Sequence, residues 1–285
     1  MKTFKTTFIA VFLISANLFG QTFNSGFDSK EMENLKKGPL YIVQTGDKIF
    51  DDSLKASVEK YWKISPTKTL TKNEYVKYLG DENNCFIAPL NGRTTDVSSP
   101  ISNKEIDGIY IFYGSARKKS SQLPMAYCPF YFYERAFTGR FLDFTVKYLN
   151  DLTNFVIDNK IEEWRYAHAT NDRIHLFEKG FPKDPSALKT KTLLVSEICT
   201  RPLKKEVLAK YKYSYKVASL TEIVSLINSE PEKYCVISDN TALFTGHILI
   251  FDGGSKSAIY ADRKAANMSV KEKQIINLNA AIGKK

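Results

Sequence analysis

The chain has 285 residues, 43% hydrophobic and 13% aromatic, with a formal net charge of +10, two units of it from Lys2 and Lys5. The aromatic content excludes a disordered chain, and the length allows two small domains or one two-lobed domain with a substantial core. The charge excess is carried by dispersed lysines rather than by arginine-rich stripes, which argues against a nucleic-acid reader and for a lysine-rich surface.

Residues 1–20 read as a signal peptide. Lys2 and Lys5 give the positive start, Phe8 to Phe19 is mostly apolar, and Gly20 offers a small residue before Gln21. The apolar run is shorter than the roughly 20 residues a membrane span needs, and no later stretch is apolar enough to cross a membrane. The expected product is exported, periplasmic or secreted, with no transmembrane segment after cleavage. Export also removes nucleic acid from the expected partners.

Gln21 to Lys37 reads as a loose polar start. Leu40-Tyr41-Ile42-Val43 is a short buried strand by length and β-branching. Leu54, Val58, Tyr61 and Trp62 recur at helical spacing from Asp51 to Trp62, with Asp51 or Asp52 as the N-cap. A strand is expected at Lys68 to Leu70 and a short helix capped by Thr71 through Leu79. Gly80-Asp81 then marks a loop before a strand at Cys85, and Ile109 to Tyr113 forms a fourth strand between Gly108 and Gly114.

Phe141, Leu142, Tyr148, Leu149, Leu152, Phe155 and Val156 trace one face of a long helix over Arg140 to Asn159, which reads as a brace packed against one or both lobes. Beyond it the first order recurs. Leu193 to Val195 is a strand, Leu203 to Tyr211 a helix, Tyr213 to Val217 a strand and Thr221 to Asn228 a helix. Strands follow at Cys235 to Ser238, at His247 to Phe251 and, after the Asp252-Gly253-Gly254 turn, at Ser257 to Ala261.

The recurrence is also literal. Lys60-Tyr61, Leu70-Thr71 and Cys85 reappear as Lys210-Tyr211, Leu220-Thr221 and Cys235, each separated by 150 positions. The expected fold is therefore α/β, two similar β-α-β-α-β-β lobes from an internal duplication joined by a helical linker. The corresponding segments are a first repeat over 38–124, a linker region over 125–190 and a second repeat with a C-terminal tail over 191–285. Cys85 and Cys235 should be buried thiols on equivalent strands, whereas Cys128 and Cys199 lie where a disulfide is plausible.

The openings Gly38-Pro39-Leu40-Tyr41-Ile42-Val43 and Lys191-Thr192-Leu193-Leu194-Val195, with Leu54 to Lys63 and Lys210 to Val217, resemble a group of uncharacterised secreted α/β proteins from Bacteroidetes-type bacteria. The resemblance implies a shared fold and export. Its motifs are packing positions and carry no functional residue across.

Two motifs suggest chemistry. Ser115-Ala116-Arg117-Lys118, Ser238-Asp239-Asn240 and Lys256-Ser257-Ala258 approximate the S-x-x-K, S-D-N and K-T-G elements of penicillin-binding proteins and serine β-lactamases. Ser115, however, follows a strand and enters a polar run, where Lys118 stays hydrated, protonated and unable to act as a base. His168, Asp172 and His175 would share one face of a helix and suit a transition metal, although Asn171-Asp172 reads equally as a turn. His247 opens an apolar strand and reads as a packed histidine.

The sequence-level reading is a non-catalytic exported protein that binds an envelope protein or small ligand and needs no cofactor. The expected contact surface is the cleft between lobes with the aromatic residues Tyr127, Phe130, Tyr131, Phe132 and Tyr133. The alternative is an envelope hydrolase, of the serine type through Ser115 and Lys118 or metal-assisted at His168, Asp172 and His175.

Overall fold

A computed structural model of the chain describes residues 29–81, 83–90, 108–114, 126–129, 135–158, 184–197, 205–240, 245–265 and 272–284. The expected signal peptide over residues 1–20, Ser115, Lys118, Phe130 to Tyr133, His168, Asp172, His175 and Cys199 lie outside these residues.

The fold is mixed α/β with two separate five-stranded sheets. The first holds β1 (Leu40–Val43), β2 (Thr67–Leu70), β3 (Cys85–Leu90), β4 (Gly108–Tyr113) and β5 (Ala126–Pro129) in the order β2-β1-β3-β4-β5. β1 is parallel to β2 and β3, and the pairs β3–β4 and β4–β5 are antiparallel. The second holds β6 (Thr192–Ser196), β7 (Tyr215–Ala218), β8 (Tyr234–Asn240), β9 (Thr245–Asp252) and β10 (Ala258–Ala265) in the order β7-β6-β8-β9-β10. Its pairings repeat the same senses.

Parallel pairing needs crossovers, and helices supply them. α2 (Lys48–Tyr61) lays Phe50, Leu54, Val58 and the adjoining Trp62 on the face formed by Leu40, Ile42 and Ile87. α3 (Lys72–Tyr78) puts Tyr75 and Leu79 on the opposite face, against Tyr41, Val43 and Phe86. With both faces covered, all four residues of β1 are buried, which is why that strand is a continuous apolar run. Each large side chain so buried contributes about 1.5–3 kcal/mol.

The caps explain where the helices begin. Thr71 accepts from the Glu74 N–H while Glu74 accepts from the Thr71 N–H, a reciprocal capping box. In the second half Ser219 caps α6 (Leu220–Ser229) through the Glu222 N–H. α2 begins earlier than its apolar spacing suggests. Its N-cap is Asp47, not Asp51 or Asp52. Asp51 is buried, accepting from Thr45 N–H at 2.8 Å, Thr45 Oγ1 at 2.9 Å and Gly46 N–H at 2.9 Å, so it ties down the loop after β1.

Structural equivalence corrects the constant spacing. Leu40 pairs with Cys85 and Leu193 with Cys235, so the two buried cysteines occupy like places on β3 and β8. The strand-end and cap pair Leu70-Thr71, by contrast, matches Ala218-Ser219 rather than Leu220-Thr221. Gly114 and Gly253 match as well. The Gly114 N–H donates to the Asn84 carbonyl and the Gly253 N–H to the Tyr234 carbonyl, in each case the residue just before the cysteine.

Three elements exceed the expectation. α1 (Ser29–Lys37) packs Leu35 into the core ahead of β1, β5 extends the first sheet, and α7 (Glu272–Gly283) buries Ile275, Leu278 and Ile282. One element ends early: α5, described over Lys205–Leu208, stops before Tyr211. The long helix α4 (Arg135–Asp158) belongs to a core that both sheets share, since Phe141, Phe144, Tyr148 and Leu149 pack in one cluster with Leu40 and Ile111 of the first sheet and Leu249 and Phe251 of the second.

Candidate functional site

The two halves meet along α4, and the exposed rim of that junction is polar. Three sources supply it: the side of α2 that meets α4, the mid-part of α4 and the turn between β9 and β10. On the α2 side, Asp143 accepts from Ser57 Oγ at 2.6 Å and Tyr61 Oη at 3.2 Å, with Lys60 Nζ at 3.6 Å. Two turns along, Asn150 accepts the Lys63 N–H at 2.9 Å, satisfying backbone just past the end of α2. Asp151 pairs with Lys147 and accepts from Ser257 Oγ at 3.3 Å, which links α4 to the turn of the second half.

The turn itself is tightly specified. Asp252 N–H donates to the Ser257 carbonyl and Lys256 N–H to the Asp252 carbonyl, closing a loop that needs one left-handed residue. Lys256 takes that conformation, with φ of 62°, the only non-glycine residue among those described to have positive φ. A lysine there bears a strain of about 1 kcal/mol that glycine would not. Its ammonium lies 4.7 Å from the Phe144 ring centroid and donates to the Gly253 carbonyl at 2.5 Å. Burial holds its pKa below the ordinary lysine value, opposed by Asp143.

Beneath the turn lies the best-buried ion pair of the junction. Lys191 Nζ sits 2.6 Å from Asp252 and 3.2 Å from Glu232, with the Lys191 and Asp252 side chains only 16% and 9% exposed. Burial raises the Asp252 pKa, but the hydrogen bonds from Lys191 and Ser255 outweigh it and hold the carboxyl below its usual range. Burial likewise lowers Lys191, and its bonds to Asp252 and Glu232 more than restore it. Cys235, opposite Asp252 on β8, is pushed up to about 12 by burial and by the Asp252 charge, so it stands as a packed thiol and not as a nucleophile.

Of the described residues in the two chemical motifs singled out from sequence, the fold brings Lys256 and Ser257 into this junction. Tyr127 and Cys128 lie on β5, the outer strand of the first sheet, Ser238 to Asn240 end β8, and His247 sits near the start of β9. The junction residues Ser57, Asp143, Asp151, Lys191 and Asp252 carry no spacing signal, because tertiary packing of distant segments assembles them. Among the described residues no group of three or more histidine, cysteine, aspartate or glutamate side chains could hold a metal, and no helix is long and apolar enough to cross a membrane. Comparison with family models, curated proteins and solved structures returns no match.

Proposed function

We propose that the chain is an exported, non-catalytic protein of the bacterial cell envelope that binds an envelope protein or small ligand at the junction of two duplicated units. In this reading each unit is β-α-β-α-β-β-β-α. α4 closes the first as α7 closes the second, while also reaching across to the other sheet. The equal strand order, the matched cysteines, the matched glycines and the Thr71 and Ser219 caps support a duplication.

One observation carries the binding reading: at the seam between units a half-buried lysine is held in a strained left-handed turn over Phe144. Ligand sites favour such unit interfaces, and local strain persists where surrounding packing enforces it. The junction carboxylates Asp143, Asp151 and Asp252 already accept hydrogen bonds from serine, tyrosine or lysine, an arrangement suited to recognition rather than to proton transfer. Export rests on the charged start and short apolar run of residues 1–20.

The test is a photoreactive residue placed at Lys60, on the junction rim, and at Lys36, on α1, in the producing bacterium. A discrete adduct from Lys60 in the envelope fraction, absent from Lys36, is the expected result. No adduct, or the same adduct from both positions, refutes the junction as a contact surface. Labelling by a fluorophosphonate that disappears in Ser115→Ala would replace this reading with the serine hydrolase. A stoichiometric metal lost in His168→Ala would replace it with the metal-assisted one.

A further inference from the structure

The two sheets differ at one equivalent edge. β2 and β7 are the outer parallel strands, Thr67-Lys68-Thr69-Leu70 and Tyr215-Lys216-Val217-Ala218. Leu193 donates to the Ser214 carbonyl, and β7 pairs in parallel with Leu193 opposite Tyr215. In such a ladder alternate residues face the neighbour, so the N–H and C=O of Tyr215 and Val217 point away from β6. Leu40 and the Pro66 carbonyl set the same phase in β2, making Thr67 and Thr69 its outward residues.

The side chains on these outward positions meet different surroundings. Thr67 and Thr69 continue the face that the fourteen-residue α2 covers. Tyr215 and Val217 continue the corresponding face of the second sheet, where α5 is described over four residues, and each is 39% exposed. The described residues thus leave an apolar, aromatic ledge beside a backbone edge that no described strand pairs. Tyr211 lies beneath Tyr215, ring centroids 6.3 Å apart.

The charge of this edge selects the occupant. Lys210-Tyr211-Lys212-Tyr213-Ser214-Tyr215-Lys216-Val217 contains three lysines and no acid. The Lys212 ammonium has no carboxylate partner among the described residues. Lys210 and Lys216 face Glu272 at 3.7 Å and Glu222 at 2.6 Å, exposed pairs for which an incoming carboxylate can compete. A second copy docking antiparallel about Lys216 would set lysine against lysine, which is unfavourable.

We propose that β7 receives an extended acidic segment of a partner protein as an added strand. The outward backbone groups of Tyr215 and Val217 make its hydrogen bonds, the ledge takes an apolar residue, and the lysines take alternate carboxylates. The proposal rests on the binding reading only in supposing that a partner exists, and it concerns a different surface from the junction.

The test uses the full mature chain and a fluorescein-labelled peptide of alternating glutamate and valine, followed by fluorescence anisotropy. Saturable binding is expected, weakened about tenfold or more by Val217→Pro, which removes an outward donor while keeping the β6 pairing. The equivalent Thr69→Pro should leave binding unchanged. The double variant Tyr215→Thr, Val217→Thr copies the first edge without a proline and should also bind at least about tenfold more weakly. Equal binding by Val217→Pro and by this double variant would overturn the proposal. So would equal binding of the peptide N-methylated at alternate amides, or of an oligonucleotide, which would reduce the effect to charge alone. Self-association abolished by Val217→Pro would assign the edge to a second copy instead. Loss of peptide binding with the Lys60 adduct intact sinks this edge and spares the junction, and the reverse pattern does the opposite.

Discussion

Alanine at Gly114 and at Gly253 tests whether the two units end their cysteine-bearing hairpins the same way. Neither glycine has positive φ, so the requirement is for space and not for conformation. A Cβ on Gly114 would lie 2.3 Å from the Asp81 carbonyl oxygen and 2.7 Å from that of Leu79. On Gly253 it would meet the Pro231 and Tyr234 carbonyl oxygens, each at 2.6 Å. All four are backbone atoms, Leu79 capping the end of α3 and Pro231 opening the short 3-10 turn Pro231–Lys233 after α6, so relief requires moving backbone rather than turning a side chain. That places each substitution near the upper end of overpacking costs, about 3 kcal/mol. For a chain of this length the melting temperature should fall by about 6–12 °C. Gly80, which has nothing within 4 Å and no positive φ, is the control, and Gly80→Ala should be neutral or stabilising by up to about 1 kcal/mol. Calorimetry or urea titration of the three variants decides the matter. If Gly114→Ala costs no more than Gly80→Ala, or if only one of the matched glycines is sensitive, the steric equivalence of the units is refuted.

Asp51→Ala should cost about 3 kcal/mol in urea unfolding because three donors lose a charged acceptor, whereas Asp52→Ala on the exposed side of the same helix should change stability by less than about 0.5 kcal/mol. Equal effects would restore Asp52 as the working cap. Tyr211→Phe should stabilise by about 1 kcal/mol, since the Tyr211 hydroxyl is buried with no hydrogen-bond partner among the described residues, and a loss of stability would reveal a partner. Cys235 should give an alkaline slope. Its folded pKa is raised to about 12, so its contribution is whole below the ordinary thiol value and is lost as pH rises from about 8.5 toward 12, by up to about 1.4 kcal/mol per pH unit. Cys235→Ala should flatten urea midpoints plotted over that window, and an unchanged slope would place the loss elsewhere.

Strands bounded by turn residues were legible because burial on both faces leaves continuous apolar runs such as Leu40 to Val43 and Leu193 to Val195. The Thr71 cap was legible because capping is local. Asp51 was misread because an acidic residue at a helix start has two possible uses, and only the loop Thr45-Gly46, seen folded, shows which applies. β5 carries too few residues, ending in proline, to show alternation. α7 was available in the spacing of Ile275, Leu278 and Ile282 yet reads as a polar tail if that face goes unnoticed. A cleft between lobes was expected, but the charged groups of the junction could not be read. They come from α2, α4, the residue before β6 and the β9–β10 turn, and nothing local in Asp143 or Lys191 distinguishes them from other surface charges. The literal 150-residue repeat pointed to the right pair of cysteines through a spacing that the structure does not keep elsewhere.

The binding reading requires that α4 hold both units as one body, so that the seam at Lys256 and Asp143 is fixed and not a hinge. Differential scanning calorimetry of the protein tests this most directly. A core shared through Phe144, Tyr148 and Phe251 should give one cooperative transition with equal calorimetric and van't Hoff enthalpies, lowered as a whole by either Gly114→Ala or Gly253→Ala. Two transitions, each sensitive to only one of those substitutions, would show that the units melt independently and would contradict the account.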